Sequence, residues 1–204
     1  MIAGFNLIPV SRGHFLWPAV SRLIRTAYRR HYQARLKHLP RRIIALAGPG
    51  EWVQCVAGLR ESTEPFLSER YLDQPIETVL MQMTGLRVER QEIVEVSSLA
   101  SRSQIASVAF IRELIRYGAS LGFNWAFFTA TDRLEKILRR IKLPLIQLDD
   151  ARPERLADRE LWGSYFDMHP KVFAIGRRDL APFLYPSEGV RKRRHHSGAS
   201  CPME

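Results

Sequence analysis

Between residues 15 and 36, Leu16, Val20, Leu23, Ala27, His31 and Ala34 recur at steps of three and four, while Arg22, Arg25 and Arg29 fall on another side. The pattern predicts an amphipathic helix with a basic outer face, closed by Pro40. Two apolar runs, 43–46 and 52–59, flank Gly48-Pro49-Gly50 and predict an antiparallel hairpin. Helical spacing then returns in interrupted form: a short helix over 64–73, and a second opened by Pro75 and ended by Gly85. Residues 93–99 predict a strand, and 104–121 a helix burying Ile105, Val108, Ile111, Ile115 and Ala119. The run 125–131 is apolar almost throughout, as a strand covered on both faces requires. Asp132, with Glu135 three residues on, predicts an N-cap for a helix burying Leu134, Ile137, Leu138 and Ile141. A strand at 145–148, a last helix over 153–168 and a strand at 171–176 complete the order. The fold class is mixed α/β (α+β): one central twisted sheet, antiparallel early and parallel around 93–99 and 125–131, flanked by helices. Residues 1–186 are expected to form a single domain and 187–204 a basic disordered tail.

Composition narrows the classes. A chain of 204 residues, 46% hydrophobic and 25% charged, excludes disorder, collagen and coiled coil. No apolar run approaches the roughly 18 residues of a membrane span. The mildly apolar start, 2–10, lacks the basic flank of a secretory signal and is broken at Arg12; an Arg-rich, acid-free start resembles a mitochondrial presequence but runs on into core-like sequence. A cytoplasmic protein is expected. Cys55 and Cys201 cannot make a disulfide framework, and no Cys/His cluster has zinc spacing.

The net charge of +10 is uneven. Residues 1–50 carry nine basic side chains and no acid, the tail adds Arg191, Lys192, Arg193 and Arg194, and the stretch between is nearly neutral. Such a distribution is either a solvated helix face plus a tail or a local dock for an acidic partner: an acyl carrier protein, a phosphorylated cofactor, an anionic membrane or RNA. The neutral body and the lack of an aromatic-basic recognition motif argue against nucleic acid.

No nucleophile elbow, dinucleotide fingerprint or phosphate-cradling Gly-Lys-Ser/Thr sequence is present. Glu95, in Ile93-Val94-Glu95-Val96, is the one acid in a strand of β-branched residues. It either faces solvent or sits in a pocket where desolvation lifts it towards a general base. Ser97 and Ser98 end this strand. Arg102, Ser103 and Gln104 begin the next helix, whose N-terminus suits an anion unless the serines merely cap it. Glu69, Tyr71, Asp73 and Glu77 form an acidic cluster for a cationic amine or an exposed face. Thr129 and Thr131 leave a strand where ligands bind in open α/β sheets. Trp162, with Tyr165 and Phe166, is either core or a substrate box.

Taken in order, Ala57-Gly58-Leu59-Arg60, Glu69-Arg70-Tyr71-Leu72-Asp73 with Pro75-Ile76-Glu77, Ile93-Val94-Glu95-Val96 with Leu99-Ala100, Gly122 and Trp125, Phe128-Thr129-Ala130-Thr131, and Trp162-Gly163 with Tyr165, Pro170 and Val172 resemble the thermostable hemolysin family over roughly residues 5–180. That family is similar to autoinducer synthases and the wider Gcn5-related N-acyltransferases. The resemblance implies that fold and an N-acyltransferase moving a fatty acyl group from an acyl carrier protein or acyl-CoA thioester to a small amine acceptor. The thioester would lie at a splay between strands 93–99 and 125–131, with no tightly bound cofactor. Glu95 would order the acceptor or take its proton through water, and a backbone N–H near Val96, Ser97 and Ser98 would stabilise the oxyanion. Arg60, Glu69, Tyr71, Asp73, Glu77, Thr129, Thr131 and Trp162 are then substrate-binding candidates, Arg102, Ser103 and Gln104 donor-binding candidates, and Arg22, Arg25 and Arg29 the dock for an acidic carrier. The family pattern has Gly-Asn where this chain has Ser97-Ser98. The loop 97–107 has no glycine, whereas acyltransferases that grip coenzyme A show Gln/Arg-x-x-Gly-x-Gly/Ala there; autoinducer synthases also lack it. The family name implies an alternative, a membrane-active hemolysin in contact with a lipid surface.

Overall fold

A computed structural model describes residues 4–184. The tail expected at 187–204, with Cys201, lies outside the described residues. Among the described residues seven strands form one sheet: β1 (Asn6–Val10), β2 (Arg42–Ala47), β3 (Val53–Arg60), β4 (Ile93–Ser101), β5 (Trp125–Ala130), β6 (Ile146–Asp150) and β7 (Lys171–Gly176), in the order β1-β2-β3-β4-β5-β7-β6. β4 and β5 run parallel, as the apolar run 125–131 predicted, and β2 and β3 form the expected antiparallel hairpin; every other neighbouring pair, including β5–β7 and β6–β7, is also antiparallel.

Helices cover both faces. On one, α1 (Trp17–Tyr32) buries Val20, Leu23 and Ile24 against Ile43, Ala45 and Val56. Farther along that face α2 (Ile76–Thr84) and the loops around Phe66, Leu156 and Trp162 pack on Ile93, Phe127 and Val172. On the other face α3 (Gln104–Ser120) sets Ala106, Phe110 and Leu114 against Ile44, Ala57 and Val94. α4 (Asp132–Arg140) and the short α5 (Ala181–Leu184) cover Phe128, Phe173 and Ile175. Among the described residues no helix is long and apolar enough to cross a membrane.

Six expectations are corrected. Ile105, expected on the buried stripe of α3, is exposed in its first turn, ahead of Ala106, which packs on the sheet. β1 was not foreseen in the mildly apolar start; it is an edge strand, the position that tolerates Pro9 within it. α1 stops at Tyr32, where Gln33 turns left-handed at φ 58°, because Ser164 N–H captures the Tyr32 carbonyl at 2.8 Å; His31 is exposed. The helix expected over 64–73 is only a 3-10 turn, Ser68–Tyr71, because the N–H groups of Leu67 and Ser68 bond Glu95 instead of a helical ladder. Thr131, not Asp132, is the N-cap of α4; Asp132 faces His169 and Lys171. The helix expected over 153–168 is three 3-10 turns, Pro153–Arg155, Arg159–Trp162 and Phe166–Met168. Gly163, at φ 52° and ψ −126°, breaks the run, and a Cβ there would lie 2.2 Å from the Tyr32 carbonyl oxygen.

Candidate functional site

The β4–β5 ladder holds only three residue pairs, Ile93 with Trp125, Val94 with Ala126 and Glu95 with Phe127. Past Glu95 the strands part. β4 carries a bulge there: Val56 faces Ala100 but Gly58 faces Ser97, so Ser98 and Leu99 together oppose Ala57. Ser98 takes the left-handed conformation, φ 52°, that an inserted residue often needs. The extra residue exchanges the faces of β4. Val94 and Val96 point to α3, whereas Ala100, which strict alternation would put with them, points to α1. Backbone groups of β4 beyond Glu95 are left without a β5 partner.

A cleft of about 680 Å³ runs through this gap. One end lies against α1, with Tyr28 and Tyr32 beside Tyr165; the other is lined by aliphatic side chains of α3 and α4, including Ile111, Leu114, Leu134 and Ile137. Ser97, Ser98, Thr129 and Thr131 line the gap itself, and Arg102, Ser103 and Gln104 its rim. The phenols of Tyr28 and Tyr165 are pushed up by burial and by neighbouring tyrosines, so both stay neutral.

Glu95 closes the narrow end of the splay and is wholly buried. Its carboxylate accepts three hydrogen bonds of 2.7 Å, from Leu67 N–H, Ser68 N–H and Ser68 Oγ. Arg60 Nε, which lacks a hydrogen-bond partner, stands 3.8 Å from Oε2. Burial raises the Glu95 pKa; the Ser68 hydroxyl, the two backbone N–H groups and Arg60 oppose that rise. Glu95 faces away from bulk water, beneath the 66–68 turn, and the cleft wall beside it is made by Val94 and Val96.

The remaining candidates separate into two groups. Ser97, Ser98, Thr129, Thr131, Arg102, Ser103 and Gln104 meet at the cleft. Within that group Ser103 caps α3 through Ala106 N–H at 3.2 Å, and Arg102 bonds the Val53 carbonyl at 2.8 Å and lies over the Trp52 ring. Elsewhere, Arg60 is buried between Glu95 and Glu64. Glu69 and Glu77 both bind Arg90, Asp73 binds Arg155, and Tyr71 is buried, so the acids of this cluster are engaged by arginines of the same chain. Trp162 packs against Tyr28, Tyr165 and Phe166. Arg22, Arg25 and Arg29 are exposed along α1.

Sequence reasoning missed Ser68 and Arg90. Ser68 sits in an irregular turn with no periodicity to mark it. Arg90 carried a signal, as one of two cations, with Arg87, that follow an acid-rich stretch. Among the described residues no cluster of His, Cys, Asp and Glu is placed to hold a metal ion, and Cys55 is buried beside Ser101.

The sequence model of one family, thermostable hemolysin, matches residues 10–180. No curated protein matches the chain in sequence. Among solved structures, the acyl-homoserine lactone synthase LasI superposes with a TM-score of 0.62 at 13% identity, over 89% of this chain and 95% of LasI. FeeM, an N-acyl amino acid synthase from uncultured soil microbes, does so with 0.58 at 11% identity, over 89% of this chain and 97% of FeeM. MesI, a CoA-dependent acyl-homoserine lactone synthase, does so with 0.54 at 15% identity, over 95% and 97%. At these identities the likeness is one of fold: the mixed sheet with its single parallel pair is that of the acyl-CoA N-acyltransferase fold.

Proposed function

The chain belongs to the thermostable hemolysin family, and we propose that it is an N-acyltransferase that moves a fatty acyl group from a carrier-protein or coenzyme A thioester to a small amine. The observation that carries this reading is the cleft at the β4–β5 splay with a buried carboxylate behind its wall, at the last paired position of the two strands and joined through Ser68 to Thr129 in the cleft. The aliphatic end between α3 and α4 takes the acyl chain, and the end beside Tyr28, Tyr32 and Tyr165 takes the acceptor. The thioester carbonyl lies in the gap, where backbone N–H groups at the Ser97-Ser98 bulge stabilise the oxyanion. The amine nitrogen attacks the carbonyl carbon, the C–N bond forms and the C–S bond breaks. Glu95 receives the amine proton, which ends on the departing thiolate.

Support for an acyl thioester donor includes the likeness in fold to CoA-dependent synthases, MesI among them. With no glycine between 97 and 107, the donor's phosphates are met by the first turn of α3 and by Arg102. An acidic carrier is docked by Arg22, Arg25 and Arg29, which stand free of the core on α1. A lytic reading is favoured by one observation, Phe15 66% exposed at the foot of this basic helix.

Mass spectrometry of lipids from cells with and without the protein tests the proposal. An N-acyl species that needs the protein and disappears with Glu95→Gln is expected. Dye release from anionic liposomes without any acyl donor, with no such species, would replace it with the lytic reading.

A further inference from the structure

Two hydroxyl groups join the buried carboxylate to the cleft. Thr129 Oγ1 lies 2.9 Å from Ser68 Oγ, which lies 2.7 Å from Glu95 Oε1. The direction of this chain is forced. An ionised carboxylate only accepts, so the single proton of Ser68 points to Glu95 and its oxygen must accept from Thr129. Thr129, which lines the cleft, has then used its own proton and offers only lone pairs there. Whatever meets it must bring a donor.

We propose that Thr129 and Ser68 form a proton relay to Glu95, and that Thr129 Oγ1 is the point where the cleft receives the N–H of the acceptor amine. This rests on the acyl-transfer reading above. As the C–N bond forms, the amine proton passes to Thr129 Oγ1, the Thr129 proton to Ser68 Oγ, and the Ser68 proton to Glu95 Oε1. The C–S bond breaks and the thiolate leaves. The proton returns along the same path to the thiolate, restoring the carboxylate and all three hydrogen bonds.

The surroundings of Glu95 suit a fixed relay end. Leu67 and Ser68 N–H hold one oxygen each, so the carboxylate does not rotate as its charge changes. The titratable groups facing it are Arg60 from β3, with Glu64 on the far side of Arg60, and Tyr71 from the 68–71 turn. Among the hydrogen bonds to Glu95, the one from the Ser68 hydroxyl continues to a cleft-lining side chain. Thr129, which touches substrate, is therefore a catalytic residue of the relay, and Ser68, which acts through it, a positioning residue that carries the proton on.

The test has two arms. With decanoyl-coenzyme A and ethanolamine as probes, thiol release by the wild type is compared with Thr129→Val, Ser68→Ala and Thr129→Ser. The relay predicts losses of roughly 10²-fold in kcat/KM for the first two, with Thr129→Ser near wild type. In the second arm, which needs no activity, the infrared band of the protonated Glu95 carboxyl, identified by its loss in Glu95→Gln, is titrated. Ser68→Ala and Thr129→Val should move its midpoint to higher pH, and Thr129→Ser should restore it. Wild-type turnover abolished by Glu95→Gln but untouched by Thr129→Val would overturn the relay and leave acyl transfer standing. A coupled infrared titration without any thiol release from decanoyl-coenzyme A or decanoyl carrier protein would support the hydroxyl chain and overturn the acyl-transfer reading. An infrared midpoint indifferent to residue 129 would overturn the chain itself.

Discussion

Arg90 clasps Glu69 with both arms of its guanidinium, Nη1 to Oε1 at 2.7 Å and Nη2 to Oε2 at 2.8 Å, while the same Nη1 reaches Glu77 at 2.8 Å. The hydrogen bond from Arg90 is the main reason that Glu69 sits below the ordinary carboxylate range. A carboxylate depressed in the folded state adds stability above its unfolded pKa, near 4.3, and loses it as pH falls through the folded value. Arg90→Gln should therefore cost about 1–2 kcal/mol at pH 7, a modest figure because the pair is partly solvated, and less at pH 3.5. Urea unfolding at both pH values measures the gap; a gap that stays constant would show that the pair contributes nothing through charge.

Glu95 behaves with the opposite sign. Burial raises its pKa, so the folded chain holds this proton more tightly than the unfolded one. Its contribution favours folding at low pH, declines as pH rises from the unfolded pKa to the folded one, and is a constant cost above that. Glu95→Gln removes this slope but turns an amide NH₂ towards the N–H of either Leu67 or Ser68, since the two hold different oxygens. A net loss of about 1–3 kcal/mol at pH 7 is expected, smaller than the fall in turnover of roughly 10²- to 10⁴-fold. Denaturant unfolding and initial rates on the same preparation separate the two effects.

Gly163→Ala should be among the most damaging small substitutions in the chain. The added Cβ meets the Tyr32 carbonyl at 2.2 Å and the backbone conformation belongs to glycine. A loss of about 2–4 kcal/mol is expected, with a lower Tm by calorimetry. An unchanged Tm would mean that the 158–168 segment does not dock on the end of α1.

Ser98 occupies a left-handed conformation that asparagine and glycine adopt more readily. Ser98→Asn and Ser98→Gly are expected to stabilise the protein by about 0.5–1 kcal/mol, while Ser98→Val, β-branched, should destabilise it. Chemical denaturation of the three variants checks the order; Ser98→Val equal to wild type would argue against the bulge.

The carboxylate at the centre of the site was visible in sequence because β4 is otherwise apolar there, so an acid within it stands out. Its hydroxyl partner was not visible. Ser68 precedes Glu69-Arg70-Tyr71 in a stretch whose apolar spacing imitates a helix, and only the approach of β4 diverts its N–H groups and side chain. The same holds for 153–168: Leu156, Leu161, Trp162 and Tyr165 have helical spacing, yet Leu156 packs on the sheet, Trp162 and Tyr165 lie against Tyr28 of α1, and the Leu161 carbonyl accepts from Arg35 N–H beyond the end of α1.

Local pattern alone determined the order of most strands and helices, the parallel pairing of two strands in the middle of the sheet, and the presence of an acid in one of them. Periodicity records which side of an element is apolar, and that much is written residue by residue. The tertiary structure decided where β4 and β5 part, which way the bulge at Ser98 turns the rest of its strand, and which groups surround Glu95. Those depend on backbone groups brought together from 27 and 28 residues apart, and no short-range pattern carries that distance.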